Sequence, residues 1–547
     1  MTSHLDGTDA DHDATQQPAE KTRRPGAKAA ARPKSGANKA TPPKGSSASS
    51  EGKQPEVNIA AKSILVLVAI VLAALFAWRG LGVITSIDAL VHPYPTTGLA
   101  LLGLLALLVA GAAAGRNKKL AAWIGSLLVL LVILAAAYPF VFGQYARAKA
   151  YAGLATKDDT TVTSYQDRAP WLVANNLAAR DQGDNVGSLG RVAYVPQADS
   201  KGTSRYSTII TGRSAVGMQG YQSIRQFNLP SVGQLRSGMS TSCLVPSEMG
   251  MRLGSFWPQR SLERAIHNKA PLSHFDEADA YGYCAGDKPV IVVPLTRWSG
   301  FLVPTRVPAG AAVYSVDGLQ ILSGDELVKQ KIEGPTMPSS LSKDRRQGLR
   351  GTGSWADWWS ARSGYDATDK DDEDANAGNT AEFTLVAADG EMRHVTPLTP
   401  RGSSQSIVAS LTSPAQQTGT EQDQAMTIET KAKQQATSTL ENTIRSASVD
   451  SDPEWATRWS AGMRVYEIVP AKDGHWAASI GMGQTVNYRA DISPEGAVTV
   501  MRTDKPKDSQ QPGSATVQTN KPLSEMTEAE LVQLIKQATD ELAKRAR

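Results

Sequence analysis

The sequence predicts three N-terminal transmembrane α-helices followed by α+β extracytoplasmic domains rich in antiparallel sheet. Three observations predict it. Three long apolar runs fall before residue 143, positive charge collects on one side of them, and the rest of the chain breaks into short β-branched segments between Gly and Pro turns.

The first run is Ser63–Trp78, preceded by Ile59, Ala60, Ala61 and Lys62; the second is Thr97–Gly115 and the third Leu120–Phe142. A bilayer core of about 30 Å needs roughly 20 apolar residues in a helix. The second and third runs meet this with no internal charge, and the first meets it if Lys62 snorkels to the headgroups. None has a polar face, which argues against burial in a soluble domain. A cleaved signal peptide is disfavoured because the first run starts about 60 residues into the chain. Pro139 near the end of the third run is expected to kink its exit.

Orientation follows from the flanks. Lys21, Arg23, Arg24, Lys28, Arg32, Lys34, Lys39, Lys44, Lys53 and Lys62 precede the first run, and Arg116, Lys118 and Lys119 fill the turn between the second and third. The segment between the first and second holds Arg79, Asp88 and His92. The positive-inside rule therefore places the N-terminus in the cytoplasm and the chain from about Gln144 outside. Arg147 and Lys149, just past the third run, count mildly against this.

Residues 1–57 carry almost no large apolar side chains and read as a disordered basic cytoplasmic tail. Against an anionic inner leaflet each of its basic residues is worth about 1 kcal/mol of attraction. The tail contains no aromatic residue, so a base-stacking platform for nucleic acid is not expected. The net charge of the whole chain, +4, also argues against a general polyanion binder.

The membrane section is read as residues 58–143 and a juxtamembrane segment as 144–164. An extracytoplasmic α+β domain occupies residues 165–411. Its strand candidates are Arg191–Val195, Tyr206–Thr211, Val290–Leu295, Ala311–Val316, Leu319–Leu322, Glu382–Val386 and Met392–Pro397. Val316-Asp317-Gly318 and Ala388-Asp389-Gly390 read as hairpin turns, since Asp-Gly accepts positive φ. Leu172–Arg180 and Pro258–Asn268 read as helices. Cys243 and Cys284, the only cysteines, are expected to pair outside the cytoplasm.

Residues 421–502 read as a small α+β domain. A helix is expected over Ile428–Ile444 from the i, i+4 series Ile428, Ala432, Ala436, Leu440 and Ile444. Four strands are expected at Met463–Val469, His475–Ile480, Thr485–Ile492 and Ala497–Arg502, turned by Lys472-Asp473-Gly474 and Pro494-Glu495-Gly496. A linker over 503–523 leads to an amphipathic helix over 524–547, with Thr527 and Glu530 as a capping box and Leu531, Ile535, Ala538 and Leu542 along one face. A lone helix of that length is marginal in water, so it is expected to dock.

Chemistry-bearing patterns are sparse. The sequence holds no P-loop, HExxH, G-x-S-x-G or dinucleotide glycine pattern, and no cofactor is expected. His267, His274, Asp276, Glu277 and Asp279 are metal-compatible types, but their spacing fits no known ligand geometry. Ser340 to Lys343 matches S-x-x-K without the accompanying K-T-G or S-D-N. The acidic run Asp366, Asp369, Asp371, Asp372, Glu373, Asp374 lacks the glycine and closing glutamate of an EF-hand loop. Trp355, Trp358 and Trp359, at i, i+3 and i+4, would share a helix face and serve as a core anchor, a partner hot spot or an interfacial foot. Trp455 and Trp459 form a second such pair.

These observations favour a membrane-anchored extracytoplasmic binding or scaffold protein of a bacterial envelope or secretion-type assembly. Its expected partners are membrane lipid and either other proteins or a second copy of itself. Candidate partner-binding residues are Trp355, Trp358, Trp359, Leu531, Ile535 and Leu542. A membrane-anchored hydrolase and an oligomeric pore are the alternative readings.

Overall fold

The computed structural model describes residues 118–503 apart from 161, 183–186, 197–202, 213–218, 231–239, 301, 369–380 and 403–405, together with scattered positions between 70 and 103. The described elements fall within a single unit, Val66–Arg547. The N-terminal tail, nearly all of the first two apolar runs, and the C-terminal helix with Leu531, Ile535 and Leu542 lie outside the described residues.

The chain enters as helix α1 (Lys118–Tyr138), 21 residues long, and passes through a π-helical turn, Pro139–Gly143, into α2 (Gln144–Ala152). Proline has no N–H for the i→i−4 ladder, and a wider π turn absorbs its ring without ending the helix. Among the described residues no helix is long and apolar enough to cross a membrane. Several side chains of α1 itself fall outside the described set. The α1 backbone is continuous, and its sequence bears no charge after Lys119.

Antiparallel sheet dominates the chain beyond α2. A six-stranded sheet runs β1 (Ala155–Asp158), β15 (Met426–Gln435), β14 (Ser406–Pro414), β13 (Met392–Pro400), β11 (Tyr365–Ala367), with β12 (Phe383–Val386) also paired to β13. Its one parallel contact joins β1 to β15. A five-stranded sheet joins β2 (Ser188–Leu189), β4 (Thr203–Thr211), β5 (Tyr221–Pro230) and β6 (Ser240–Leu244), with β3 (Ala193–Tyr194) on β4. A four-stranded sheet is ordered β10 (Gly318–Leu322), β9 (Thr305–Ser315), β8 (Lys288–Ser299), β7 (Tyr281–Ala285). A four-stranded meander, β16 (Arg464–Pro470), β17 (Trp476–Met482), β18 (Thr485–Ile492), β19 (Val498–Arg502), closes the described chain. The turns read from sequence are those used: Gly318, Gly390, Asp473, Gly474 and Gly496 all have positive φ.

The five-stranded and β7–β10 sheets share one core, with Ile209, Ile224, Ile291, Val293, Leu295 and Tyr314 buried between them. The Cys243–Cys284 disulfide joins β6 to β7 and staples the two sheets across that core, with Cα atoms 5.9 Å apart. Closing a loop of 41 residues stabilises the fold by about 4 kcal/mol in the chain-entropy account. Gly282 of β7 packs tightly on the five-stranded sheet: a β-carbon there would lie 2.9 Å from Ile224 Cδ1.

Helix α3 (Trp171–Gln182) packs its buried Leu172, Val173 and Leu177 with Tyr206 and Phe227 of the five-stranded sheet and Tyr466 of the meander. Behind it Arg168 is ion-paired with Glu467, both nearly inaccessible. Helix α4 (Leu262–Lys269) adds Leu262 and Ile266 to the disulfide-stapled core, and α5 (Gly324–Lys329) buries Leu327 beside Val292 and Ala311. Helix α6 (Ser339–Gly348) and the short helix α7 (Trp355–Trp359) precede β11. The meander's other face is covered by α8 (Thr437–Ser451) and α9 (Glu454–Ser460) through Leu440, Ile444 and Trp455.

The helix expected over Ile428–Ile444 is corrected: residues 426–435 are strand β15, and the helix begins at Thr437. A spacing of four is an even number, so Ile428, Ala432 and Ala436 satisfy strand alternation as well as one helix face. Hydrogen bonding to β14 on one side and β1 on the other decides for strand.

Candidate binding site

Three helical pieces meet at the end of α1. They are α2, α6 with the 3-10 turn Leu349–Thr352 that extends it, and α7. The contact needs two glycines. A β-carbon on Gly351 would fall 2.5 Å from the Ala148 carbonyl carbon, and one on Gly348 would overlap the Tyr151 side chain. Ala148 and Tyr151 are buried in this contact. Tyr151 Oη accepts the backbone N–H of Arg306 at 2.7 Å. Burial, with the Asp344 carboxylate nearby, pushes the Tyr151 phenol up to about 12, so it stays neutral.

The tryptophans expected to share a face do lie on α7, turned toward the exit of α1. Trp355 donates its indole N–H to the Val141 carbonyl at 3.0 Å and stacks on Phe142, ring centroids 5.4 Å apart. Trp359 stacks on Trp355, and Trp358 meets Tyr145. Trp359 is 64% exposed and Trp355 37%, so this cluster is no core anchor. Trp455, by contrast, is buried against Tyr488.

Beside this cluster opens a cavity of about 600 Å³. Arg147 of α2, Arg306 of β9 and Arg350 of the 3-10 turn line it, and among the described lining residues Asp344 is the one carboxylate. Arg306 bonds Asp344 at 3.2 Å and Thr296 Oγ1 at 3.0 Å. Arg350 bonds Asp366 at 2.5 Å. Burial pushes the Asp344 carboxyl up and Arg306 pulls it back. Arg147 donates Nη2 to the Pro93 carbonyl at 2.7 Å and lies 5.5 Å over the Trp298 ring, while its Nε is buried without a partner. Among the described residues no carboxylate lies within 4.0 Å of its guanidinium.

Ala89 and Pro93, from the segment between the first two apolar runs, also line the cavity, and described neighbours hold that segment to the sheets. Asp88 holds His92 at 3.0 Å and His274 at 2.6 Å, His92 reaches the Gly300 carbonyl at 3.0 Å, and Thr85 donates to the Pro271 carbonyl at 2.6 Å. Compared with protein-family models, with curated proteins and with solved structures, the chain matches none. The site itself is therefore the guide to function.

The metal-compatible residues are not gathered. His274 is taken by Asp88, Asp276 caps the backbone N–H of Ala278, and Asp279 caps α6 through Ser339 and Ser340 at 2.6 and 2.5 Å. His267 is buried beside Phe275, its Nδ1 unpartnered; burial, and secondarily His274, pushes its pKa down. Among the described residues no three such side chains converge on a point. The Ser340 hydroxyl donates to Asp279, and Lys343 is exposed. Asp366 pairs with Arg350, and the rest of the acidic run lies outside the described residues.

Sequence reasoning misses the arginine cavity. In sequence, Arg147 stands out only as a charge on the wrong side of the membrane. The available signal is the spacing Gln144, Arg147, Ala148, Tyr151, which puts a guanidinium and a phenol on one helix face at the exit of an apolar run.

Proposed function

We propose that the chain is a membrane-anchored extracytoplasmic binding or scaffold protein of a bacterial envelope or secretion-type assembly. The observation that carries this reading is the junction at the end of α1. The helix does not end in a flexible tether: it runs on through Pro139–Gly143 into α2, which is locked against α6 by Gly348 and Gly351.

The support for an anchor comes from the sequence and length of α1, although among the described residues no helix qualifies as a membrane span. Its 21 residues at 1.5 Å each give about 30 Å, the thickness of a bilayer core. Leu127, Val129, Leu130, Leu131, Ile133 and Leu134 are all about half exposed. Those positions span somewhat more than half of the helix circumference, and so broad an exposed apolar face calls for an apolar surrounding. The aromatic cluster of Tyr138, Phe142, Trp355 and Trp359 sits at the end away from Lys118 and Lys119, and amphipathic rings favour the membrane interface. Lys118 and Lys119 mark the other end, on the cytoplasmic side. The disulfide suits an oxidising compartment. An anchor joined rigidly to four sheets holds them in one orientation above the bilayer, which is what a scaffold requires.

The test is in-cell crosslinking, purification in mild detergent and mass spectrometry of what accompanies the chain. Stoichiometric envelope components, lost on removing residues 504–547 or on Trp359→Ala, support the reading. A chain that purifies alone overturns it and favours the hydrolase alternative. The truncation spares β15 through β19, so it does not cut into a sheet.

A further inference from the structure

The arginine cavity is more than a by-product of the junction. We propose that it holds a phosphate group. Its position favours a lipid headgroup as the source, and inorganic phosphate in solution is the other. This inference rests on the membrane-anchored reading above.

Charge is the first argument. Among the described lining residues, Arg147, Arg306 and Arg350 face one carboxylate, Asp344, which is already bonded to Arg306, while Asp88 behind the lining is taken by His274. Arg350 is tied to Asp366, which lies outside the lining. Arg147 makes no ion pair within 4.0 Å among the described residues: its guanidinium meets the Pro93 carbonyl and the Trp298 face, with Asp344 acting on it only from farther off. A guanidinium carries five N–H donors in a planar fork suited to phosphate oxygens. A buried Nε with no acceptor asks for one, and native structures rarely leave such a group unmet.

Place is the second argument. The cavity is reached from two chain segments that the charge pattern independently puts outside the cytoplasm. Tyr138 and Gly143 come from the end of α1, and Ala89 and Pro93 from the segment joining the first two apolar runs. The level of Tyr138, one bilayer thickness beyond Lys118, is the level of the outer headgroups. Trp298, Leu302 and Trp358 supply an apolar wall beside the arginines, and Leu302 is 63% exposed. A charged end next to an apolar wall matches a headgroup at its join with glycerol. A volume of about 600 Å³ is within the range of small-ligand pockets.

The full chain, purified in detergent, is tested with radiolabelled phosphatidylglycerol, with phosphatidylcholine of the same acyl length, and with labelled inorganic phosphate alone. Wild type is expected to retain phosphatidylglycerol. Arg147→Gln should weaken this roughly tenfold or more, as loss of a charge-assisted bond implies. Arg147→Lys should recover part of it, and Lys472→Gln on the exposed β16–β17 turn should bind as wild type. Melting temperatures matching wild type exclude misfolding as the cause. Retention that inorganic phosphate does not displace assigns the source to lipid; binding of inorganic phosphate alone supports the site with a soluble source. No binding of either, or binding indifferent to Arg147→Gln, overturns the site. An alkaline wash of the membranes separates the two failures. A chain that stays in the pellet yet binds no phosphate overturns the site alone, whereas a chain that washes off overturns the anchored reading.

Discussion

The Gly351 α-carbon rests against the backbone of Ala148, so close that a β-carbon would fall 2.5 Å from the Ala148 carbonyl carbon. Two segments about 200 positions apart in sequence thus touch main chain to main chain. No side chain can be repacked to make room, because the obstacle is backbone. This contact, with Gly348 on Tyr151, turns the end of an apolar helix into a fixed support for the sheets.

Gly351→Ala is expected to force α2 away from the 3-10 turn. Overpacking at a site without slack costs roughly 1–3 kcal/mol. Limited proteolysis of the full chain should then cut between Gln144 and Asp158 faster than in wild type, with the disulfide-linked sheets still resistant. Unchanged cleavage would mean that the junction is looser than its geometry implies.

Glu467→Gln tests how the meander is held. Arg168 and Glu467 are 5% and 4% exposed at their side chains. Burial pushes the Glu467 carboxyl up, and the Arg168 guanidinium opposes this and holds the pair together. Removing one partner leaves a buried charge uncompensated, at a cost of roughly 3–5 kcal/mol. Denaturant unfolding should show a midpoint shift of that size. The double variant Arg168→Met, Glu467→Met should recover most of it, since a well-packed apolar pair often equals a buried ion pair.

His267 gives a pH dependence whose sign follows from its burial. Its folded-state pKa is pushed below the ordinary value of 6.5 by desolvation first and by His274 second. The unfolded chain therefore binds a proton that the folded chain refuses as pH falls through about 6.5. Stability from this group is complete above that pH and lost progressively below it. His267→Gln should make the unfolding midpoint less sensitive to pH between about 7 and 5. An equal slope in both proteins would remove His267 as a source.

Local structure is legible in the sequence wherever one signal acts alone. The meander β16–β19, the hairpins at Asp317-Gly318 and Asp389-Gly390, α3 and the Cys243–Cys284 pair come from alternation, turn chemistry and a count of two cysteines. Residues 426–435 resist a sequence reading because apolar positions four apart satisfy both periods, and only the neighbours β1 and β14 break the tie. The parallel pairing of β1 with β15 joins residues about 270 apart, and no local pattern encodes it. The arginine cavity is invisible for the same reason: Arg147, Arg306 and Arg350 each look like solvated charges until α2, β9 and the 3-10 turn bring them together.

The most direct measurement of the central claim is labelling of intact cells with a membrane-impermeant maleimide. Cys243 and Cys284 are joined, so Lys472→Cys, on a turn whose lysine is 80% exposed, introduces the sole free thiol. Ser47→Cys does the same in the N-terminal tail. An anchored domain outside the cytoplasm predicts that the thiol at position 472 labels in intact cells, while the one at position 47 labels only after lysis. The reverse pattern, or equal protection of both, would contradict it.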